Sequence, residues 1–127
     1  MSRLVLAGSA LAFLGVGALF LLDPAGMARH VGVGVLGATA DNDVRAVYGG
    51  LQLGCGAFLL LCALRSEWHA AGLAAQLLLF GSLVAARVLS WLVVGLPETL
   101  GLALHAAEAG ALVLGWLAWR RLPATHG

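Results

Sequence analysis

Glu108 lies inside an apolar run, Thr99 to Trp119, whose only other ionisable side chain is His105, one helical turn before it. Two further apolar runs each hold an arginine, Arg45 and Arg87. A charge at membrane depth costs several kcal/mol, so such groups pair with one another, face a cavity or take part in chemistry. These few residues therefore constrain how the helices pack and where any polar site sits.

The membrane setting is dictated by composition. Of 127 residues, 61% are hydrophobic and 10% charged, with a mean hydropathy of +0.98. A soluble domain carries about 25% charged residues. Four runs, Leu4–Leu22, Val44–Leu64, His69–Val94 and Glu98–Trp119, reach the length of about 20 residues that a bilayer requires. Short connections at Ser66–Trp68 and Gly95–Pro97 force antiparallel neighbours. The pattern predicts an all-α integral membrane four-helix bundle, one domain over residues 1–127. The longer connection, Asp23–Asp43, begins with the helix stop Asp23-Pro24 and continues through Arg29 and His30 into an apolar Val/Gly stretch. It reads as a short interfacial segment over the bundle mouth. The first run, preceded by Ser2 and Arg3, resembles a signal peptide, but at about 19 residues it suits a full span better than a shorter leader core. We expect it to be retained.

Arginine placement sets the expected orientation. Arg3, Arg65, Arg120 and Arg121 fall on one side. Arg29 and Arg45 share the other with Asp23, Asp41, Asp43 and Glu98. The positive-inside rule then places both termini in the cytoplasm. Trp68, Trp116 and Trp119 fit the inner boundary and Trp91 the outer, as interfacial anchors. Within the spans, Gly50-x-x-x-Gly54 and Ala107-x-x-x-Ala111-x-x-x-Gly115 are expected to let backbones approach closely.

Depth brings the polar residues together. At about 1.5 Å per residue, Arg45 to Gln52 reach about 13 Å in from the outer boundary, Arg87 about 10 Å, and His105 and Glu108 about 10–15 Å. Arg45, Tyr48 and Gln52 fall on one stripe of the second span, and His105 and Glu108 on one stripe of the fourth. Pairing Arg87 with Glu108, and Arg45 with an acid such as Asp43, makes the charges tolerable. Two arginines against one deep carboxylate leave room for an anionic ligand, water or a lipid head group. The alternative is a purely structural pair that fixes helix register.

Several chemistries are excluded or disfavoured. Lysine is absent, which removes side-chain Schiff bases. The net charge of +1 and the lack of a basic cluster argue against nucleic acid. Cys55 and Cys62 stand about 10 Å apart along a helix, too far for a disulfide, and read as packing thiols. No HExxH, GxSxG or CxxC occurs, and no metal site is expected. Haem held between facing helices would need two intramembrane histidines, and only His105 lies clearly within a span. No cofactor is expected.

The segment Asn42-Asp-Val-Arg-Ala-Val-Tyr-Gly-Gly-Leu-Gln-Leu-Gly, with Ala86-Arg-Val-Leu-Ser and Glu108 downstream, resembles a bacterial family of small four-helix membrane proteins known as domain of unknown function 4345. The resemblance spans nearly the whole chain and rests on Arg45, Tyr48, Gly49, Gly50, Arg87 and Glu108. It implies a four-span bundle and no activity.

The sequence thus predicts a protein of a bacterial inner membrane with a polar pocket for a hydrophobic small molecule or lipid. Catalytic candidates are Glu108 as proton donor or acceptor, with Tyr48 and His105 orienting a substrate oxygen; ligand-binding candidates are Arg45, Gln52 and Arg87. The matching chemistry is a cofactor-free isomerase, cyclase or epoxide-opening reaction. One rival is a non-catalytic accessory subunit of a larger membrane complex. Another is a small oligomeric transporter, disfavoured because nothing between Arg3 and Asp23 is ionisable. The orientation has a direct test. An impermeant thiol reagent applied to intact cells should fail to label Ser2→Cys or Thr125→Cys, and labelling of either reverses it.

Overall fold

A computed structural model describes residues 1–34 and 37–122. Helix α1 spans Ser2–Leu22, α2 Pro24–His30, α3 Gly37–Leu64, α4 His69–Val94 and α5 Thr99–Trp119. All but α2 are long and apolar enough to cross a bilayer, the signature of a membrane protein. The last two spans begin and end within a residue of expectation. The second begins earlier than the apolar run suggests, because its polar first turns, with Thr39, Asp41 and Asp43, are already helical.

Local chemistry explains the breaks. Asp23 caps α2, accepting from the Gly26 amide at 2.9 Å, and Pro24 at the first helical position gives up an amide that has no partner there anyway. His30 Nδ1 donates to the Gly26 carbonyl at 2.7 Å and closes the short helix. A 3₁₀ turn, Ser66–Trp68, turns the chain from α3 into α4. At the other end α4 stops at Gly95, whose φ of 102° favours glycine, just before Pro97.

Helix α3 changes winding within itself. Residues Arg45–Gly50 form a π-helical turn between α-helical Gly37–Val44 and Leu51–Leu64. A π turn inserts an extra residue and rotates the helix on its N-terminal side relative to the helix on its C-terminal side. Arg45 and Tyr48 therefore do not keep the strict stripe expected of an uninterrupted α-helix.

Helices α1 and α3 form the most extensive contact, and α4 packs chiefly on α5. Glycine makes the first contact possible, although not through Gly50 and Gly54, which are exposed. A Cβ on Gly17 would stand 2.9 Å from both the Gly49 carbonyl oxygen and the Leu53 amide; one on Gly56 would stand 2.9 Å from the Leu14 amide. Backbone meets backbone along the α1–α3 seam at Gly17, Gly49 and Gly56. Of the alanine stripe on α5, only Gly115 is buried, beneath the Gln76 side chain.

The core gathers toward the end that holds the chain termini: Leu6, Ala10, Phe13, Leu59, Cys62, Ala63, Leu73, Phe80 and Ala118. Phe13 and Phe80 meet there with ring centroids 5.4 Å apart. Every buried residue of α4 lies between Gly72 and Phe80, and those of α5 are Gly115 and Ala118. The opposite halves of α4 and α5 touch one another and bury nothing. In contrast α1 is buried as far as Phe20. The bundle is tight at the termini end and opens at the far end.

Gly17→Ala should therefore lower stability by about 1–3 kcal/mol, the usual cost of overpacking. Gly54→Ala, where an added methyl meets nothing within 4 Å, should leave stability unchanged or slightly raised. Detergent-denaturation midpoints check both, and equal effects would show that the α1–α3 seam is not tight.

Candidate functional site

Three rungs tie α4 to α5. Nearest the termini, Gln76 is fully buried and donates through Nε2 to the Ala111 carbonyl at 3.0 Å. Next, Arg87 grips Glu108 in a bidentate pair, Nε to Oε2 at 2.5 Å and Nη2 to Oε1 at 2.7 Å. Farthest out, the rings of Trp91 and His105 stand 4.3 Å apart, tilted by 51°. Arg87 and Trp91 are four residues apart on α4, and Glu108 and His105 three apart on α5, so antiparallel packing sets the two pairs side by side.

The expected pairing of Arg87 with Glu108 is present. Its geometry bears on chemistry, because both carboxylate oxygens are engaged by one guanidinium. Such a carboxylate is fixed in direction by two parallel donors, one to each of its oxygens. The Arg87 side chain remains 34% exposed and that of Glu108 15%, so it is the arginine that keeps an open edge.

His105 differs from its neighbours. Its Nδ1 is buried and has no hydrogen-bond partner among the described residues. Among the described residues the other buried side-chain atom without a partner is Gln76 Oε1, on the innermost rung. A buried ring nitrogen without a partner is uncommon, since most buried polar side-chain atoms are hydrogen-bonded.

Arg45 is placed elsewhere. Its Nε donates to Asp41 Oδ2 at 2.8 Å, one turn back, rather than to Asp43. Nη1 donates to the Leu21 carbonyl at 2.5 Å. That carbonyl is among the last of α1, which have no partner within the helix, and a cation there also suits the helix dipole. Arg45 thus fastens α3 to the end of α1. Tyr48 is exposed, and its ring stacks on Phe20 of α1 at 5.3 Å. Gln52 is half-buried and makes no hydrogen bond among the described residues. The six candidates therefore fall into two groups. Arg45, Tyr48 and Gln52 lie along α3, with Arg45 and Tyr48 tied to the end of α1, whereas Arg87, His105 and Glu108 lie between α4 and α5. Among the described residues no hydrogen bond, ion pair or ring contact joins the two groups into one layer.

Sequence reasoning missed Gln76 and the role of Trp91. The signal for Gln76 was present, since it is the lone amide in the middle of α4. Trp91 gave none, because a tryptophan near a span boundary reads equally well as an interfacial anchor.

Two spaces adjoin these groups. A void of only about 10 Å³ lies among Phe20, Ala28, Val31, Val33, Val44 and Tyr48, the room of about one water. An open groove of about 220 Å³ runs beside Arg87, Ser90, Trp91 and Val94 toward the Gly95–Pro97 turn. Cys55 and Cys62 are free thiols, as their spacing predicted. Among the described residues no group of three or more histidine, cysteine or acidic side chains is placed to hold a metal ion.

The ion pair can be measured. Glu108→Gln should cost about 3–5 kcal/mol by leaving Arg87 without its counter-charge. Changing both residues together should cost clearly less than the sum of the single changes in a double-mutant cycle, and strict additivity would mean that the pair contributes no coupling.

No curated protein and no solved structure matches this chain. Its residues 1–119 match the family described as a domain of unknown function (DUF4345). With that match covering most of its length, the chain belongs to this family of unknown function.

Proposed function

We propose that the protein binds the oxygen-bearing head of an amphiphilic small molecule within the membrane, at the far end of α4 and α5. The observation that carries this reading is the groove lined by Arg87, Ser90 and Trp91, with His105, whose buried Nδ1 lacks a partner among the described residues, packed against the Trp91 ring. The open edge of Arg87 would receive a carboxylate or carbonyl oxygen, the Trp91 ring would pack against the adjoining carbons, and His105 would complete the polar contacts. A drug-sized ligand needs a cavity of about 300–1,000 Å³. At about 220 Å³, and open on its flank, the groove suits a head group whose apolar tail stays in the surrounding hydrocarbon.

The acid/base roles are distributed differently in this reading. With both Glu108 oxygens held by Arg87, proton transfer to or from a bound isomerisable or epoxide substrate falls to His105, and Glu108 positions Arg87. Tyr48 sits over a void too small for any ligand, stacked on Phe20, and is assigned to packing. The host membrane in this reading is the inner membrane, with the termini cytoplasmic.

Thermal stability of the detergent-purified protein, measured against long-chain carboxylates, ketones, quinones and epoxides, tests the proposal. At least one tailed carboxylate or carbonyl compound should raise the melting temperature. His105→Gln should weaken that compound's binding at least about tenfold, since a hydrogen bond to a charged group contributes about 1.5–3 kcal/mol. Tyr48→Phe should leave binding unchanged. If no compound stabilises the wild type, the exposed flank of α4 and α5 is better read as the docking face of an accessory subunit.

A further inference from the structure

The termini end of the bundle carries Arg3, Arg65, Arg120 and Arg121 and one acid, Glu67. Among the described residues none of the four arginines takes part in an ion pair; the pairs present are Arg45–Asp41 and Arg87–Glu108. All four are exposed. Three of them are nevertheless held in place. The Arg65 guanidinium lies 5.4 Å from the Trp68 ring centroid and that of Arg120 4.7 Å from Trp116. Arg121 Nη1 lies 2.9 Å from Met1 Sδ. A guanidinium seated on an indole face uses its flat side and leaves its N–H edges free as donors. Tryptophan settles at head-group depth, so the stacked arginines are held at that depth too.

We propose that this collar binds the phosphodiester head groups of anionic phospholipids. A phosphate accepts two parallel N–H bonds from one guanidinium, a geometry that a lysine cannot offer. With four arginines and a single carboxylate, the face has an unmatched positive charge that an anionic lipid neutralises, whereas a zwitterionic lipid brings a compensating ammonium of its own. The arrangement also fixes which leaflet the face occupies. The cytoplasmic leaflet is the anionic one, so lipid binding and arginine bias act together to hold both termini on that side. The site is independent of the α4–α5 groove, at the opposite end of the bundle.

Tryptophan quenching by brominated lipids reads the interaction directly, since Trp68, Trp116 and Trp119 all report from this end. The full chain is reconstituted in mixed bilayers of phosphatidylglycerol and phosphatidylcholine, with one or the other brominated. Wild type should prefer phosphatidylglycerol at least about fivefold, the factor for a single engaged arginine. Raising the salt to about 1 M should erode the preference by screening. The combined change Arg65→Gln, Arg120→Gln and Arg121→Gln should abolish most of it, and the corresponding lysine variant should keep an intermediate preference. Equal quenching of wild type by the two lipids overturns the proposal, as does a preference that salt does not reduce or that the glutamine variant retains. Loss of the preference on adding inorganic phosphate at about 20 mM, in place of sodium chloride at matched ionic strength, also overturns it, in favour of a simple ion site. Should the glutamine variant fail to fold, the wild-type preference and its salt dependence decide the matter.

Discussion

Hydrocarbon gives helices little reason to associate by burial, because lipid tails are as apolar as leucine; close backbone contact has to supply the attraction instead. In this protein that contact is the α1–α3 seam, where Gly17, Gly49 and Gly56 let main-chain atoms meet at distances that any side chain would prevent. The other elements are placed around it. The seam carries Phe13 to Phe80 of α4, it brings the end of α1 within reach of Arg45, and it sets Phe20 beneath Tyr48. The close approach at Gly49 falls inside the π-helical turn. The turn and the seam therefore coincide at one place.

The polar groups obey a second rule. Each deep donor or acceptor must find its partner inside the bundle, since lipid offers none. Arg87 and Glu108 satisfy one another, Gln76 donates to the Ala111 carbonyl, and Arg45 takes an α1 carbonyl and Asp41. Among the described residues two buried atoms depart from this rule, Gln76 Oε1 and His105 Nδ1.

Much of this was legible in the sequence because the physics of the bilayer is severe. Four spans, the short α2 after Asp23-Pro24 and the Arg87–Glu108 pair are all dictated by run length, turn chemistry and the cost of a lone intramembrane charge. The errors share one cause. Depth along a helix can be counted from sequence, whereas rotation about its axis cannot once the winding changes. The π turn at Arg45–Gly50 breaks the α-helical phase, and Arg45 turns to Asp41 and Leu21 rather than to the Arg87–Glu108 pair. Likewise Gly50-x-x-x-Gly54 has the right spacing and lies on the wrong face, and Gly49 and Gly56 make the approach instead.

The two ends of the bundle are unlike, and the difference bears on function. At the termini end the helices bury Leu6, Leu59, Leu73 and Ala118 completely, tryptophans brace the arginines, and little can move without breaking packed contacts. At the far end α4 and α5 hold each other through an ion pair and a ring contact while their outer faces, Leu92, Val93 and Val94 among them, remain exposed. A bidentate pair constrains direction as well as distance, so it keeps α4 and α5 aligned where no core supports them. That combination, a closed end that anchors and an open end aligned by Arg87 and Glu108, leaves the outer faces of α4 and α5 turned to the bilayer without loosening the bundle, as the binding role proposed above requires. In the proposed role, an amphiphile would reach the open edge of Arg87 by lateral diffusion, and its tail would never have to leave the lipid.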